Sequence, residues 1–531
     1  TVINTTPSCR TECYAQCVTE FNNTPCCGME FYAHCGTEFY TKPCCGTESY
    51  AHCGKEFFTK PWCRTEFYAH CGTEFYTRPC CGTEIYAYCG IEFYTKPFSV
   101  TDINQDGKSD FIVTGFGYLN LGLSYKNGKL INIIDQKIFS DEYKRTIGVA
   151  ACDIDKDGYE EIYFLNTDTY SGTKKYSDRL IDFEDNKFFD LFEIERNKKD
   201  LNLTAGRSVV CVDRKGDGKY GVYVANYGGP TRFYEYENDT IVDKSTQLNL
   251  AKITGGRAVV SGHIISNKMD IFAANERGAN FLYKNKNGKF LDLAYEFRIE
   301  DVLQNGRGTA LSDIYYRGRL DILNGNWGGF HRAYVLKNNI FEDIAKPPFD
   351  VPTRIRTIIS ADFDNDGYDE VFMNNIGQPN KLFKILDNGV FKQIPLDVGL
   401  EPDGYGTGAA VADIDNDGVL ELLVSHGESK DQPLSLYKAK VNPDHKYLRI
   451  KPLNKYGAPA RGATVTLISD LRKHSKTIDA GSGYLCQMEP VAHYGIRKKE
   501  KNIRIQIKWT NGKTKTISVK NLNQTITLQQ K

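Results

Sequence analysis

From residue 98 to about residue 440, short apolar runs alternate with polar turns that are rich in glycine, asparagine and aspartate. The runs Phe111–Val113, Ile162–Phe164, Val371–Met373 and Leu422–Val424 each follow an acidic segment, and further apolar pairs separated by Asn/Gly turns come after them. Apolar runs of this length, bounded by turn residues, are typical of β-strands. The pattern therefore predicts an all-β fold.

This strand pattern recurs with a spacing of about fifty residues. Its acidic segments begin at positions 102, 153, 213, 262, 313, 362 and 413, with steps of 51, 60, 49, 51, 49 and 51 residues. About four short strands in each of seven repeats are typical of a seven-bladed β-propeller. Residues 98–442 are therefore predicted to form such a propeller. The first unit has no glycine-rich lead strand after Pro97, so the sequence leaves the closure of the ring open.

The last ninety or so residues keep the strand pattern but lose the acidic segments. Strand patterns cover residues 447–450, 463–468 and 503–509, and the last of these turns at Asn511-Gly512. We predict a small β-sandwich-like domain over residues 443–531. Cys486 and His493 lie seven residues apart in this part of the chain. We interpret them as a buried cysteine and a structural histidine rather than as a catalytic pair.

Residues 1–97 follow a different pattern, a tandem repeat of nine residues. Of the 17 cysteines in the chain, 14 lie before residue 90, and Pro25, Pro43, Pro61, Pro79 and Pro97 recur every 18 residues. Four interpretations stay open: a disulfide-linked stalk, a metal-binding tract, an elastic repeat, and the translation of a DNA minisatellite. Packed cores diversify the sizes of their side chains, whereas this tract repeats them almost letter for letter. We therefore predict a low-complexity segment that is disordered or artefactual.

Four of the acidic segments share the nine-position pattern Asp, any, Asp/Asn, any, Asp, Gly, any, any, Asp/Glu. Alternate side chains of a tight loop converge on one centre, the glycine permits the sharp turn, and Ca²⁺ takes six to eight oxygen ligands. EF-hands are excluded because position twelve is apolar and β-strands follow the loops. We predict about four calcium ions, held by side chains or by the carbonyl of position seven. The predicted ligands are Asp102, Asn104, Asp106, Lys108, Asp110, Asp153, Asp155, Asp157, Tyr159, Glu161, Asp362, Asp364, Asp366, Tyr368, Glu370, Asp413, Asp415, Asp417, Val419 and Glu421.

Three weaker copies of the loop lie at residues 213–221, 262–270 and 313–321. Lys215 stands at position three of the first of these copies, and Arg317 stands at position five of the third. A fixed cation beside the remaining aspartates could replace the charge of a metal ion. We hypothesise that Lys215 and Arg317 do so. Cys152 and Cys211 precede loops in neighbouring units, and the sequence leaves their pairing open.

A second position recurs thirteen residues after the loop start, where it falls at one mouth of a propeller. It holds asparagine in five units and His426 in the last, and we interpret these residues as turn caps. The segments that follow them vary, and variable loops on a fixed frame are typical of binding surfaces. The predicted partner-binding residues are Tyr227, Glu276, Arg277, Trp327 and Glu428.

The acidic loops resemble FG-GAP/VCBS repeats, as in the propellers of integrin α-subunits. Residues 206–216, 425–429 and 481–495 are more specific, and they resemble the cartilage acidic protein family, in which an FG-GAP propeller precedes an ASPIC/UnbV domain. This resemblance implies residence in the extracellular matrix, folding stabilised by calcium, and protein binding, with antagonism of a neuronal receptor as a further expectation from the vertebrate members. It carries the calcium residues onto the four intact loops.

The charge of the chain is balanced, with 67 Lys and Arg against 67 Asp and Glu, which argues against a nucleic-acid partner. No apolar run approaches the ~20 residues of a transmembrane helix. We therefore predict a secreted, non-enzymatic, calcium-binding glycoprotein of the matrix or cell surface that binds an extracellular protein, a receptor or matrix component. The alternatives are a glycan-binding propeller, with Tyr227 and Trp327 as stacking faces, and a polysaccharide-acting enzyme. The oligomeric state is left open.

Overall fold

The computed structural model describes residues 98–126, 129–134, 138–139, 142–184, 187–426 and 432–531, together with the backbone of residues 136–137 and of the strands before residue 98. The chain forms two compact units, Thr1–Phe93 and Tyr94–Lys531. Strands dominate both units, and the predicted all-β propeller class is confirmed. The domain boundaries predicted at residues 97 and 443 stay predictions.

The first unit contains parallel strands that pair at a step of 18 residues, so that Val2 lies opposite Glu20 and Glu30 opposite Glu48. The register of this pairing follows the period of the tract. The hypotheses about residues 1–97 stay predictions. The strands are Val2–Thr5, Cys13–Asn23, Glu30–Thr41, Glu48–His52, Glu56–Thr59, Glu66–His70, Glu74–Thr77 and Glu84–Tyr88.

The second unit begins with antiparallel sheets, one for each of the fifty-residue repeats, and we number them 1 to 7 in chain order. The strands of sheets 1 to 4 are Thr95–Thr101, Asp110–Gly115, Leu121–Lys126 and Lys129–Asn132; Thr146–Cys152, Glu161–Asn166, Arg179–Glu184 and Lys187–Asp190; Gly206–Val212, Gly221–Pro230, Arg232–Glu237 and Thr240–Asp243; and Ile253–Gly262, Asp270–Asn275, Phe281–Lys286 and Lys289–Asp292. Sheets 3 and 4 also pair with each other where Tyr227 lies opposite Gly255.

The strands of sheets 5 to 7 are Gly306–Ser312, Asp321–Asn326, Arg332–Lys337 and Ile340–Asp343; Ile355–Ala361, Glu370–Asn375, Lys381–Ile385 and Phe391–Ile394; and Gly406–Ala412, Glu421–His426 and Ser435–Lys438. Short helical turns connect some of the strands. They are Gln136–Phe139, Glu142–Lys144, Leu191–Glu193, Glu195–Asp200 and Asp397–Leu400. Each acidic loop lies between the first and second strands of its sheet.

The first strands of the sheets form a closed ring. Each contacts the first strands of the two neighbouring sheets, and Thr95–Thr101 contacts both Thr146–Cys152 and Gly406–Ala412. The ring therefore closes by packing between sheets 1 and 7, although sheet 7 has three strands within the described residues. The first unit does have a lead strand, although not a glycine-rich one. It consists of the last residues of the nine-residue repeat and residues 98–101, in which Phe98 and Val100 are fully buried.

The C-terminal residues form two further sheets around a separate apolar core that contains Leu448, Val465 and Trp509. In one sheet, Lys446–Leu453 pairs antiparallel with Ala492–Ile496 and parallel with Gln524–Gln529. The second sheet has the order Lys473–Thr477, Thr464–Ile468, Arg504–Lys508 and Thr514–Ser518. We call residues 446–531 the C-terminal domain.

Residues 480–489 of this domain enter the ring and bond to its first strands. The Cys211 amide donates to the Ala480 carbonyl (2.8 Å), and the Thr309 amide donates to the Gly483 carbonyl (2.7 Å). Gln487 accepts from the Val100 amide through its carbonyl and bonds to Ala151 through its side chain. Because sheets 1, 2, 3 and 5 all contribute, the C-terminal domain and the ring are parts of one compact unit.

A disulfide between Cys152 and Cys211 links the first strands of sheets 2 and 3, across a sequence separation of 59 residues. Replacing both cysteines by alanine is expected to lower the free energy of unfolding by about 2 to 4 kcal/mol, because the closed loop restricts the unfolded chain. Urea denaturation measures this change. The matched control is Cys486→Ala, which alters the free buried cysteine of the described residues and removes no cross-link. Equal stability of the double variant and the wild type would contradict the prediction.

Candidate metal centres

Three groups of carboxylates converge in the acidic loops of sheets 2, 6 and 7. In each group the first, third and ninth positions of the loop bring one oxygen each to within 4.8 Å of the others. The groups are Asp153, Asp155 and Glu161; Asp362, Asp364 and Glu370; and Asp413, Asp415 and Glu421. The sequence predicted these nine side chains as metal ligands, and the structure places them together by threes.

The loops fold tightly because the backbone wraps around the first aspartate. The glycine at position six has positive φ, 87° at Gly367 and 84° at Gly418, which residues with a Cβ rarely adopt. Its amide donates to the first aspartate, at 2.9 Å for Asp362 and 3.0 Å for Asp413. The side chains of positions one and three are thereby turned toward the same side of the loop.

The carboxylate at position nine begins the second strand and closes the loop from the opposite end. Glu370 accepts from the Phe363 amide (3.0 Å), and Glu421 accepts from the Ile414 amide (2.9 Å). Glu161 makes the equivalent bond in sheet 2. Each bond fixes one oxygen of the carboxylate, which holds the group beside the first aspartate.

These carboxylates are unfavourable as free anions in their present surroundings. Burial raises the pKa of Asp153 to about 7, that of Asp413 to about 6 and that of Glu421 to about 7, and neighbouring carboxylates push all three in the same direction. Within the described residues, Asp362 Oδ1 and Asp413 Oδ1 are buried without a hydrogen-bond partner. Convergent hard oxygen donors with orphaned lone pairs fit a hard cation such as Ca²⁺.

The loop of sheet 1 differs from the other three. Asn104 at position three replaces a carboxylate, and the loop is not among the convergent groups of the described residues. Its first aspartate still accepts from the Gly107 amide (2.7 Å), and burial raises the pKa of Asp110 to about 6. The predicted fourth ion, at Asp102, Asn104, Asp106, Lys108 and Asp110, stays a prediction.

One residue of the third strand faces each of the three loops of sheets 2, 6 and 7, and the local sequence pattern does not identify it. Lys384 lies opposite Glu370 and contacts Asp364 (2.9 Å) and Asp366 (2.5 Å). Lys438 lies opposite Glu421 and contacts Asp415 (2.8 Å). Burial alone would lower the pKa of both lysines. The surrounding carboxylates outweigh this effect, so the pKa of each lysine lies above its usual value.

The loop of sheet 2 has the opposite charge at this position. Continuing the strand register by one residue places Asp182 opposite Glu161, and burial together with Asp155 raises the pKa of Asp182 to about 6. Strand pairing, rather than a fixed spacing in sequence, identifies these residues, since Lys384 and Lys438 follow position nine at different distances. The loops of sheets 6 and 7 therefore contain an internal cation, whereas the loop of sheet 2 gains a further carboxylate.

The hypothesis of fixed cations has a different outcome in each of the two degenerate loops concerned. Arg317 Nη2 pairs with Asp321 at 2.6 Å, as the sequence suggested. Asp217 pairs with Lys156 from the loop of sheet 2, at 3.1 Å, rather than with Lys215. Lys156 of the neighbouring unit therefore forms the ion pair with Asp217, and the charge of Lys215 adds a smaller effect that also lowers the pKa of Asp217.

The acidic loops lie against the C-terminal domain. Five first-position aspartates, from both intact and degenerate loops, contact a group of that domain. These contacts are Asp153 Oδ2 with Asn454 Nδ2 (3.5 Å), Asp213 with Thr510 Oγ1 (2.6 Å), Asp313 with the Ser475 amide (3.0 Å), Asp362 with the Gly495 amide (2.9 Å), and Asp413 with Arg449 Nη1 (2.8 Å). The candidate metal centres therefore lie at the contact between the ring and this domain.

The other end of the first strands carries the predicted partner-binding loops. The recurring asparagines cap these loops: the side chain of Asn226 donates to the Pro230 carbonyl (2.7 Å), and that of Asn375 donates to the Pro379 carbonyl (2.7 Å). Tyr227, Glu276 and Trp327 each contact an arginine of a group that is described below. The side chain of Arg277 is 80% exposed, and Glu428 lies outside the described residues.

Cys486 and His493 do not act on each other. Cys486 Sγ donates to the Tyr484 carbonyl (3.2 Å), and His493 Nε2 contacts Asn365 Oδ1 (2.6 Å). Burial raises the pKa of the Cys486 thiol to about 12, so the thiolate is disfavoured. Their interpretation as structural residues agrees with these contacts.

The chain is similar to known proteins along most of its length. A family model described as FG-GAP-like repeat matches residues 102–164 and 362–424, and one described as ASPIC and UnbV matches residues 454–531. Cartilage acidic protein 1 of Xenopus tropicalis is 43% identical over 458 residues, which cover 79% of this chain and 70% of that protein. Cartilage acidic protein 1 of Homo sapiens is 41% identical over 451 residues, which cover 78% and 68%.

Among solved structures, BBS1N in complex with ARL6DN, soaked with mercury, is 10% identical with a TM-score of 0.42, covering 65% of this chain and 93% of that one. In the part of the chain that the structure describes, no helix is long and apolar enough to cross a membrane.

Proposed function

This chain belongs to the cartilage acidic protein family, and we propose that it is a secreted, calcium-binding protein of the extracellular matrix or cell surface. In this proposal it binds a protein partner through the mouth of the ring opposite the C-terminal domain, which we call the free mouth. The name of its relatives, cartilage acidic protein, supports an extracellular location. Calcium has a structural role in this proposal, and catalysis has none. The function of the ring is then to present the mouth that lies opposite the C-terminal domain.

One observation carries the calcium part of the proposal: the carboxylate groups converge where the C-terminal domain rests on the ring. Asp153, Asp362 and Asp413 belong to these groups, and each also contacts that domain. A divalent cation supplies positive charge that makes the buried anions favourable. The same side chains hold the neighbouring domain, so an ordered loop supports the docking of that domain.

The third-strand residue that faces each loop is expected to set the affinity of that loop for calcium. Lys384→Met together with Lys438→Met should tighten calcium binding in sheets 6 and 7 by about tenfold or more, because each lysine neutralises the carboxylates that the metal needs. Isothermal titration of the calcium-depleted whole chain measures this change. Lys392→Met, at an exposed lysine of the adjacent strand in sheet 6, is the matched control.

The reverse change is expected in sheet 2, where Asp182→Lys should weaken calcium binding by a similar factor. The wild-type protein should then bind calcium most tightly in the loop of sheet 2. Unchanged titrations for the variants at Lys384, Lys438 and Asp182 would contradict the role of the third strand. A total of clearly more than four ions on the chain would contradict the predicted stoichiometry.

Partner binding is tested with the whole chain immobilised and exposed to solubilised extracellular-matrix proteins, with Trp327→Ala as the loss variant. The glycan-binding alternative is less favoured, because Arg356 covers the Trp327 ring at 4.0 Å and Arg257 covers the Tyr227 ring at 4.6 Å. A glycan array separates the two outcomes. Binding to glycans together with no protein capture would favour the alternative and overturn the protein-partner proposal.

A further inference from the structure

Four arginines follow one another around the free mouth of the ring. Arg207, Arg257, Arg307 and Arg356 lie in the first strands of sheets 3, 4, 5 and 6, each at the register shift of its strand. In sheet 3 this shift lies between Gly206 and Ser208. A bulge re-aims the extra side chain. We call these four residues the mouth arginine cluster.

The cluster is continuous through shared neighbours. Arg207 and Arg257 both lie over the rings of Tyr170 and Tyr227, at 4.6 to 5.8 Å from the centroids. Arg307 and Arg356 share the ring of Trp327, at 5.7 and 4.0 Å. The arginines are 3 to 7% exposed, whereas Tyr170 at the rim is 63% exposed. Positive charge is thereby concentrated beneath a rim that solvent reaches.

Glu276 shows which chemical group fits between these arginines. Its Oε2 accepts from Arg257 Nε (2.6 Å) and from Arg307 Nη2 (3.2 Å), so two guanidinium groups share one carboxylate oxygen. Burial would raise the pKa of Glu276, but Arg257 and Arg307 lower it below its usual value. Burial and the charge of Arg257 lower the pKa of Arg307 to about 10. Both shifts agree with an excess of positive charge at this point.

Tyr484 connects the cluster to the C-terminal domain. It lies on the segment that enters the ring from the side of the acidic loops, and Arg356 lies 5.8 Å from its ring centroid. The inner side of the cluster is therefore lined by protein, and a ligand approaches from the rim that carries Tyr170. Guanidinium groups already lie over the rings of Tyr227 and Trp327, which leaves charge rather than stacking on these two rings as the means of recognition.

We infer that the mouth arginine cluster is a binding site for the carboxylate side chains of an acidic peptide segment in a partner protein. Guanidinium groups bind carboxylates through paired, charge-assisted hydrogen bonds, as Arg257 and Arg307 do with Glu276. A glutamate or aspartate of the partner would add to or replace Glu276. This inference rests on the proposed protein-binding function and names the chemistry of the partner.

The test uses a fluorescein-labelled octaglutamate peptide and the whole chain, with binding measured by fluorescence anisotropy. Arg307→Gln is expected to weaken binding at least tenfold, because it removes a charged donor pair. Arg196→Gln makes the same charge change at an exposed helical turn away from the mouth and should leave binding unchanged. Thermal unfolding of each variant checks that the fold is intact.

A second variant is expected to change the affinity for the peptide in the opposite direction. Glu276→Gln removes the internal competitor and keeps the shape of its side chain, so it should tighten peptide binding several-fold. A residue with only a structural role would weaken binding or leave it unchanged when replaced. Equal or weaker binding by Glu276→Gln, or equal binding by Arg307→Gln and the wild type, would overturn the inference.

A sulfated chondroitin oligosaccharide is added as a competitor in the same assay. It distinguishes a sulfated glycan from a carboxylate-bearing peptide as the anion that the site binds. Displacement of the peptide by a much tighter oligosaccharide would overturn the choice of an acidic peptide. Capture of matrix proteins by the wild type that is unaffected by Arg307→Gln would overturn this site and leave the proposed function standing. An absence of captured protein, with peptide binding intact, would contradict the proposed function and leave the anion site standing.

Discussion

Chelation of calcium from the whole chain with EGTA is expected to lower the midpoint of thermal unfolding by about 10 °C. A ligand at about a hundred times its dissociation constant stabilises the folded state by roughly 2.7 kcal/mol. Three occupied loops then contribute about 8 kcal/mol, which corresponds to a shift of about this size in a unit of more than 400 residues. Differential scanning calorimetry with added calcium and with EGTA measures the shift.

The same treatment should loosen the C-terminal domain from the ring. Asp362 and Asp413 belong to candidate metal centres and also hold Gly495 and Arg449, so empty, repelling loops weaken these contacts. Hydrogen exchange of residues 480–489 is therefore expected to accelerate in EGTA. The variant Asp153→Asn with Asp155→Asn should lose part of the calcium-dependent shift, whereas Asp239→Asn, in an exposed turn, should keep it. An unfolding midpoint that is insensitive to EGTA would contradict a structural role for calcium.

Replacement of Arg461 by methionine is expected to destabilise the chain by about 3 to 5 kcal/mol, the usual cost of leaving a buried charge without its partner. Arg461 has no exposed surface, and it donates through Nε (2.7 Å) and Nη2 (3.0 Å) to Glu160. Its remaining N–H groups donate to the carbonyls of Val100, Asp479 and Met488 at 2.8 to 2.9 Å. All five donors are used, and they join the C-terminal domain to sheets 1 and 2.

Guanidinium chloride denaturation of the whole chain measures this loss. Arg504→Met, at an exposed position of the C-terminal domain, is the control and should change stability by less than about 0.5 kcal/mol. Adding Glu160→Gln to Arg461→Met should recover part of the loss, because the buried carboxylate is then no longer charged. A loss below about 1 kcal/mol for Arg461→Met would mean that the domain interface does not depend on this pair.

Local sequence patterns predicted the convergence of the loop carboxylates, because each candidate metal centre is formed within nine consecutive residues. The spacing of aspartates and the glycine at position six depend on the local backbone alone, and Asp362, Asp364 and Glu370 do converge. The apolar runs and their repeat likewise predicted the all-β propeller class. The caps at Asn226 and Asn375 were also local, since each bonds four residues ahead.

Contacts between distant segments escaped the sequence analysis. Lys384 and Asp182 face their loops only through strand pairing, and Asp217 is held by Lys156 from another unit. The Gly-Arg pairs at 206–207, 256–257 and 306–307 were a visible signal of the mouth arginine cluster, but their meaning depended on the bulge that aims them.

The repeat, the strands and the converging carboxylates of each intact loop could be predicted from the sequence, since these follow from periodicity and from residues close along the chain. The tertiary structure alone decided that strand Thr95–Thr101 closes the ring, that Cys152 pairs with Cys211, and that residues 480–489 enter the ring. It also decided that the acidic loops lie under the C-terminal domain while the arginines meet at the opposite mouth. These contacts join segments that lie tens to hundreds of residues apart, and only the packing of the whole ring brings such segments together.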